Sequence, residues 1–165
     1  MYPAEIVIPM KEQLTENGFD ELLTSASVDE ILSAPGTTLV VVNSVCGCSA
    51  GSARPGVIMS VNNSAKRPDH LTTAFAGFDI AAVQRLREHL LPYPPSSPAV
   101  ALFKDGKLVA MAGEATASGG ESGIGESGSM DETLIIIIFW RKTGRGSTLV
   151  SVLSPRGGAP KKKVG

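Results

Sequence analysis

The chain has 165 residues, 42% of them hydrophobic, enough for one domain with a substantial core. Its 15 basic and 16 acidic side chains give a formal net charge of −1, so no global field draws it to nucleic acid or to an anionic membrane. The N-terminal stretch does not read as a secretory leader, and the longest apolar run, Leu134 to Trp140, falls far short of the roughly 20 residues a membrane span needs, so a cytoplasmic protein is expected.

In chain order, Met10 and Leu14 share a helical face ahead of Gly18, a C-cap residue, and predict a first helix. Ser27 and Glu30 have capping-box spacing, so a second helix is expected from there to just before Pro35. The run TTLVVVNS, Thr37 to Ser44, is β-branched and apolar throughout, the pattern of a strand buried on both faces. A strand-to-helix turn follows, and a helix is expected from Cys46 to about Asn63, kinked or delayed by Pro55.

His70 to Phe78 reads as another strand, followed by a helix with Asp79 as N-cap and Ile80, Val83, Leu86 and Leu90 on one face. The segments AVALFK and KLVAMA flank Asp105-Gly106, a hairpin signal. Strands alternating with helices and closed by an antiparallel pair predict an α/β domain with a mixed sheet over residues 1–112. Residues 113–132 are Gly/Ser-rich and acidic, the composition of a flexible linker. Residues 133–165 carry seven basic side chains (Arg141, Lys142, Arg145, Arg156, Lys161, Lys162 and Lys163) and no acidic ones, and form a separate compositional unit. Within it TLIIIIFW is β-prone.

The chain's two cysteines, Cys46 and Cys48, stand together in NSVCGCSAGSARPG. A structural disulfide is uncommon in a reducing compartment, so redox or metal chemistry gains weight. Cys46 sits where a buried strand gives way to a helix, and the unpaired N–H groups there stabilise a thiolate, the nucleophile of thiol–disulfide exchange. Gly47 removes a side chain from between the sulfurs, and Ser49, Ala50 and Gly51 are expected to keep the surface open. A Cys46–Cys48 disulfide would close a very small, strained ring, which places the pair among the exchanging rather than the structural disulfides. Two other readings stay open. The cysteines fit as small buried hydrophobes, or as half of a zinc site, although only His70 and His89 could join them and neither is at motif spacing.

The stretches MYPAEIVIPMKEQL, VVVNSVCGCSAGSARPGV and PPSSPAVALFKDGKLV together resemble the bacilliredoxin family, over roughly Met1 to Val109. The resemblance implies a thioredoxin-like fold and removal of bacillithiol from S-bacillithiolated proteins. It makes Cys46 the attacking thiolate and Cys48 the second thiol, with bacillithiol as co-substrate, no resident cofactor or metal, and S-thiolated cytosolic proteins as partners. It also implies a cis Ser97–Pro98 bond, with Ser97 offering backbone groups to a docking strand beside Pro98. Arg54 would either support the thiolate or bind a carboxylate of the small thiol. The family's closing amphipathic helix has no counterpart in residues 113–165. Alternative functions are a general protein disulfide reductase or isomerase, and a non-enzymatic metal-binding or redox-sensing module.

Overall fold

The computed structural model describes residues 2–64, 67–113, 137–142 and 148–153. Helix α1 spans Ala4–Thr15, strand β1 Asp20–Glu21, α2 Ser25–Ser33 and β2 Thr37–Asn43. A π-helical turn, Ser49–Ala53, leads into α3, Arg54–Asn63, followed by β3, His70–Phe75, and α4, Ile80–His89. The hairpin strands are β4, Ala99–Lys104, and β5, Lys107–Gly113. Two further strands, β6 (Ile137–Lys142) and β7 (Thr148–Leu153), pair antiparallel in a sheet of their own. They lie in the region read as a basic tail. Residues 114–132, and with them nearly all of the expected linker, lie outside the described residues.

The main sheet has the order β1-β3-β2-β4-β5, with β1, β3 and β2 mutually parallel and β4 and β5 antiparallel. This is the thioredoxin-like mixed sheet that the resemblance implied. The central strand β2 is buried at all seven positions, which is why it reads as a continuous apolar run. Its side chains alternate between two cores. Val40 and Val42 pack with Val28 and Leu32 of α2 and Val83 and Leu86 of α4, while Leu39 and Val41 pack with Leu14 of α1 and Val57 and Val61 of α3. Among the described residues no helix is long and apolar enough to cross a membrane.

Several expected boundaries are corrected. Helix α1 begins at Ala4 and continues through Pro9, because burial of Val7 and Leu14 outweighs the backbone hydrogen bond that a proline forfeits. Thr24, not Ser27, caps α2. Its hydroxyl accepts from Ser27 N–H, and Ser27 supplies the reciprocal half of the box by accepting Thr24 N–H. Asp79 precedes α4 but makes no side-chain cap, because its two oxygens are taken by Lys11 and by the Phe75 N–H. Ile80 is half exposed, and Ala82 takes its place on the buried face beside Val83 and Leu86. The hairpin turn is as the sequence predicts, with Asp105 and Gly106 both at positive φ (48° and 77°).

Candidate active site

Both cysteines lie beyond the C-terminal end of β2, at the end of the sheet where the parallel strands finish. There the register sets Asn43 beside Phe75 of β3 and Val42 beside Ala99 of β4, so Pro98 enters the sheet next to Asn43. The Ser97–Pro98 bond is cis, and so is Leu91–Pro92, which the sequence did not flag. Pro98 is buried and Ser97 half-buried. His70 begins β3 at the opposite end of the sheet, and His89, at the end of α4, lies 3.4 Å from Asp29.

The chain turns helical directly after Cys46, whose carbonyl accepts from Ser49 N–H (2.9 Å) and Ala50 N–H (3.2 Å). Cys46 therefore stands at the N-cap of the helical segment. Its Sγ accepts the Cys48 N–H at 3.3 Å, the bond a capping side chain makes two residues on. The two sulfurs are 2.9 Å apart, and both cysteines are half-buried. Gly47 between them is exposed, and a Cβ built on it meets nothing within 4 Å. Among the described residues no group of three or more His, Cys, Asp or Glu is placed to hold a metal ion.

The helix enters through a π turn for a local reason. Pro55, at the start of α3, has no N–H, and the preceding Arg54 N–H reaches back five residues to Ser49 O. Ser49, expected at the open surface, is fully buried. It points into the protein, where its hydroxyl donates to Asn43 Oδ1 at 2.8 Å.

Arg54 is also inside, only 1% exposed. Its Nε donates to Gln13 Oε1 of α1 (2.7 Å), and its Nη1 donates to Asn43 Oδ1 (2.9 Å), Ser44 O (3.0 Å) and Ser49 Oγ (3.1 Å). The expectation that Arg54 meets a carboxylate of a small thiol is thus corrected, since the guanidinium faces the underside of the cysteine turn, away from solvent. Burial pulls its pKa below the ordinary arginine value. Asn43 is the hub of this layer. Its Oδ1 accepts from Ser44 N–H, Ser49 and Arg54, and its Nδ2 donates to Met10 O, which ties α1 to the turn.

The sequence pointed to Cys46, Gly47, Cys48 and Arg54 but gave no sign of Gln13 or of the Met10 carbonyl. Contacts of that kind join distant segments and leave no local spacing. The buried polar character of Asn43, at the end of an otherwise apolar run, was the one available signal.

The profile of the disulphide isomerase family matches residues 2–122. The chain is 57% identical over 109 residues to a bacilliredoxin of Cytophaga hutchinsonii, a match covering 66% of this chain and 80% of the relative. It is 54% identical over 109 residues to a bacilliredoxin of Halalkalibacterium halodurans, covering 66% of this chain and 75% of the relative. Among solved structures it is similar to mitochondrial thioredoxin 3 of Saccharomyces cerevisiae, at 13% identity and a TM-score of 0.43 over 57% of this chain and 81% of that one.

Proposed function

Because the chain belongs to the bacilliredoxin family and is a thiol–disulfide oxidoreductase, we propose that it removes bacillithiol from S-bacillithiolated proteins, with Cys46 as nucleophile and Cys48 as secondary thiol. The observation that carries this reading is the Cys46 sulfur itself, half-buried at a helix N-cap and accepting the Cys48 N–H. Backbone donors at that position favour the thiolate over the thiol, and the thiolate is the reactive form.

In the first step the Cys46 thiolate attacks the bacillithiol sulfur of the mixed disulfide. A new S–S bond joins Cys46 to bacillithiol, the old one breaks, and the target protein leaves as a thiolate that takes a proton from water. A second thiolate then attacks the Cys46 sulfur and releases bacillithiol. Cys48, with its sulfur 2.9 Å away, supplies that thiolate from within and leaves a Cys46–Cys48 disulfide; a low-molecular-weight thiolate from outside instead attacks the bacillithiol sulfur, forming a disulfide of the two small thiols and releasing the Cys46 thiolate. Exposed Gly47 leaves room for a protein substrate over the pair, and Ser97, preceding the buried Pro98, offers backbone groups to its extended chain. The partners under this reading are S-thiolated cytoplasmic proteins.

The test uses a bacillithiolated protein and follows release of its thiol. Cys46→Ser is expected to abolish transfer, and Cys48→Ser is expected to retain the first transfer and accumulate the Cys46–bacillithiol adduct. Unchanged transfer by Cys46→Ser overturns the assignment. The name of the matching family favours a second reading, isomerisation of protein disulfides. Faster turnover on a scrambled-disulfide protein than on the bacillithiolated one would select it.

A further inference from the structure

Arg54 presents a buried charge that no ion pair compensates among the described residues. Its partners Gln13, Asn43, Ser44 and Ser49 are all neutral, and no carboxylate lies within ion-pair distance of it among the described residues. Strands β6 and β7 also pack against α3 and the π turn, and their only ionisable residues are the cations Arg141 and Lys142; on α1, β2, α3 and β3 the charged groups are engaged or turned outward. Lys11 of α1 is held by Glu21 and Asp79, while Glu5 and Glu12 of the same helix, and Glu16 just past its end, are exposed. Strand β2 and the rest of α3 carry no ionisable side chain, and β3 contributes only His70, at its far end.

Taking a guanidinium out of water with only neutral acceptors is costly, and the cost falls when an anion faces it. Its Nη1 is one residue removed from Cys46 along two separate routes. It binds Ser44 O, and Ser44 Oγ accepts the Cys46 N–H at 3.4 Å; it also binds Ser49 Oγ, and the Ser49 N–H donates to Cys46 O at 2.9 Å. The one group at this spot that becomes an anion in the exchange reaction is the cysteine thiolate.

We propose that Arg54 is a positioning residue which holds the cysteine turn from beneath, through Asn43, Ser44 and Ser49, and sets its positive charge behind the Cys46 thiolate. The inference rests on the assignment of Cys46 as nucleophile. It explains why the position takes an arginine rather than an apolar side chain of similar length, which would fill the space without desolvating a charge. It also gives the π turn a purpose, since that turn brings Ser49 round to bind the guanidinium.

The experiment titrates Cys46 in a Cys48→Ser background, by thiolate absorbance and by the pH dependence of alkylation with iodoacetamide. Arg54→Met is expected to move the midpoint up by about one unit, roughly a tenfold loss of thiolate at pH values below it. Arg54→Lys keeps the charge but has no second donor nitrogen for Gln13 beside the one that serves Asn43, Ser44 and Ser49, so its midpoint should stay near the parent's while its melting temperature falls. A parent midpoint well below about 8.5 that is unmoved in a folded Arg54→Met protein overturns this inference and leaves Cys46 as nucleophile. A parent midpoint at or above that value overturns both. If Arg54→Met does not fold, the Lys variant decides: a midpoint that rises as stability falls shows a structural role only and overturns the proposal.

Discussion

Lys11 and Asp79 are 68 residues apart in sequence, yet the Lys11 Nζ lies 2.9 Å from Asp79 Oδ1 in the interior, with Glu21 Oε1 at 2.7 Å on its other side. The ammonium also sits 5.1 Å from the centre of the Phe78 ring. Asp79 uses its second oxygen to accept the Phe75 N–H, so one carboxylate fixes both α1 and the end of β3. Asp79→Ala leaves two buried donors short of an acceptor and is expected to cost about 2–4 kcal/mol, read from urea unfolding. A loss under about 0.5 kcal/mol, the range of an ordinary surface change, would show that Glu21 alone suffices for Lys11.

The same lysine predicts an alkaline signature. Burial works to lower its pKa, but hydrogen bonds to Glu21 and Asp79 overcome that and raise it above the ordinary 10.5. A raised lysine contributes stability that is fully present below 10.5 and is lost as pH rises through the higher folded value. The stability gap between the parent and Lys11→Met should therefore be constant from pH 7 to 9 and narrow above 10.5. A gap that stays flat to the alkaline limit would contradict the pairing.

At the other end of the sheet, Asp69 Oδ2 accepts both the Thr37 N–H (2.7 Å) and the Thr37 hydroxyl (2.8 Å). These bonds, the backbone one first, hold its carboxyl below the usual 3.8. A depressed carboxylate contributes stability above 3.8 that disappears as pH falls through the folded value. Asp69→Asn should melt lower than the parent at pH 7, and the two curves should converge in acid. Parallel curves down to pH 2 would show that the charge is irrelevant.

Gly47 separates access from stability. It is helical, its φ is not positive and a Cβ there meets nothing within 4 Å, so Gly47→Ala should be neutral or slightly stabilising, by up to about 1 kcal/mol as a helical Gly→Ala change. Alkylation of Cys46 by a small reagent should hardly change, and exchange with a folded protein substrate should slow, since the methyl stands on the approach. Equal rates with the protein substrate would mean that substrates approach from another side.

The central strand, the cysteine turn and the hairpin were legible because each is specified locally. A seven-residue apolar run can only be a doubly buried strand here, two cysteines share one turn, and Asp105-Gly106 supplies two residues tolerant of positive φ. What was not legible depends on tertiary partners. Asp79 looks like an N-cap in any window of sequence, and only the fold shows that Lys11 has claimed it. Arg54 and Ser49 look like surface residues because charge and hydroxyl usually mean exposure. Their burial follows from Asn43, at the end of the strand before the turn, and from Gln13, which α1 brings in from 41 residues away. The start of α1 at Ala4 was not read either, because a proline inside the helix, Pro9, is tolerated there only through packing.

The antiparallel return of β4 and β5 gives the sheet two poles. Cys46 and Pro98 lie at one, and the Asp105–Gly106 turn, tied to Gly36 by two hydrogen bonds, lies at the other. Lys107, exposed on that far turn, is therefore a site for attaching the protein to a resin or an electrode. An amide linkage made there orients every molecule alike, with its thiols directed at the solution and its anchored end in the part of the fold that the chemistry does not use.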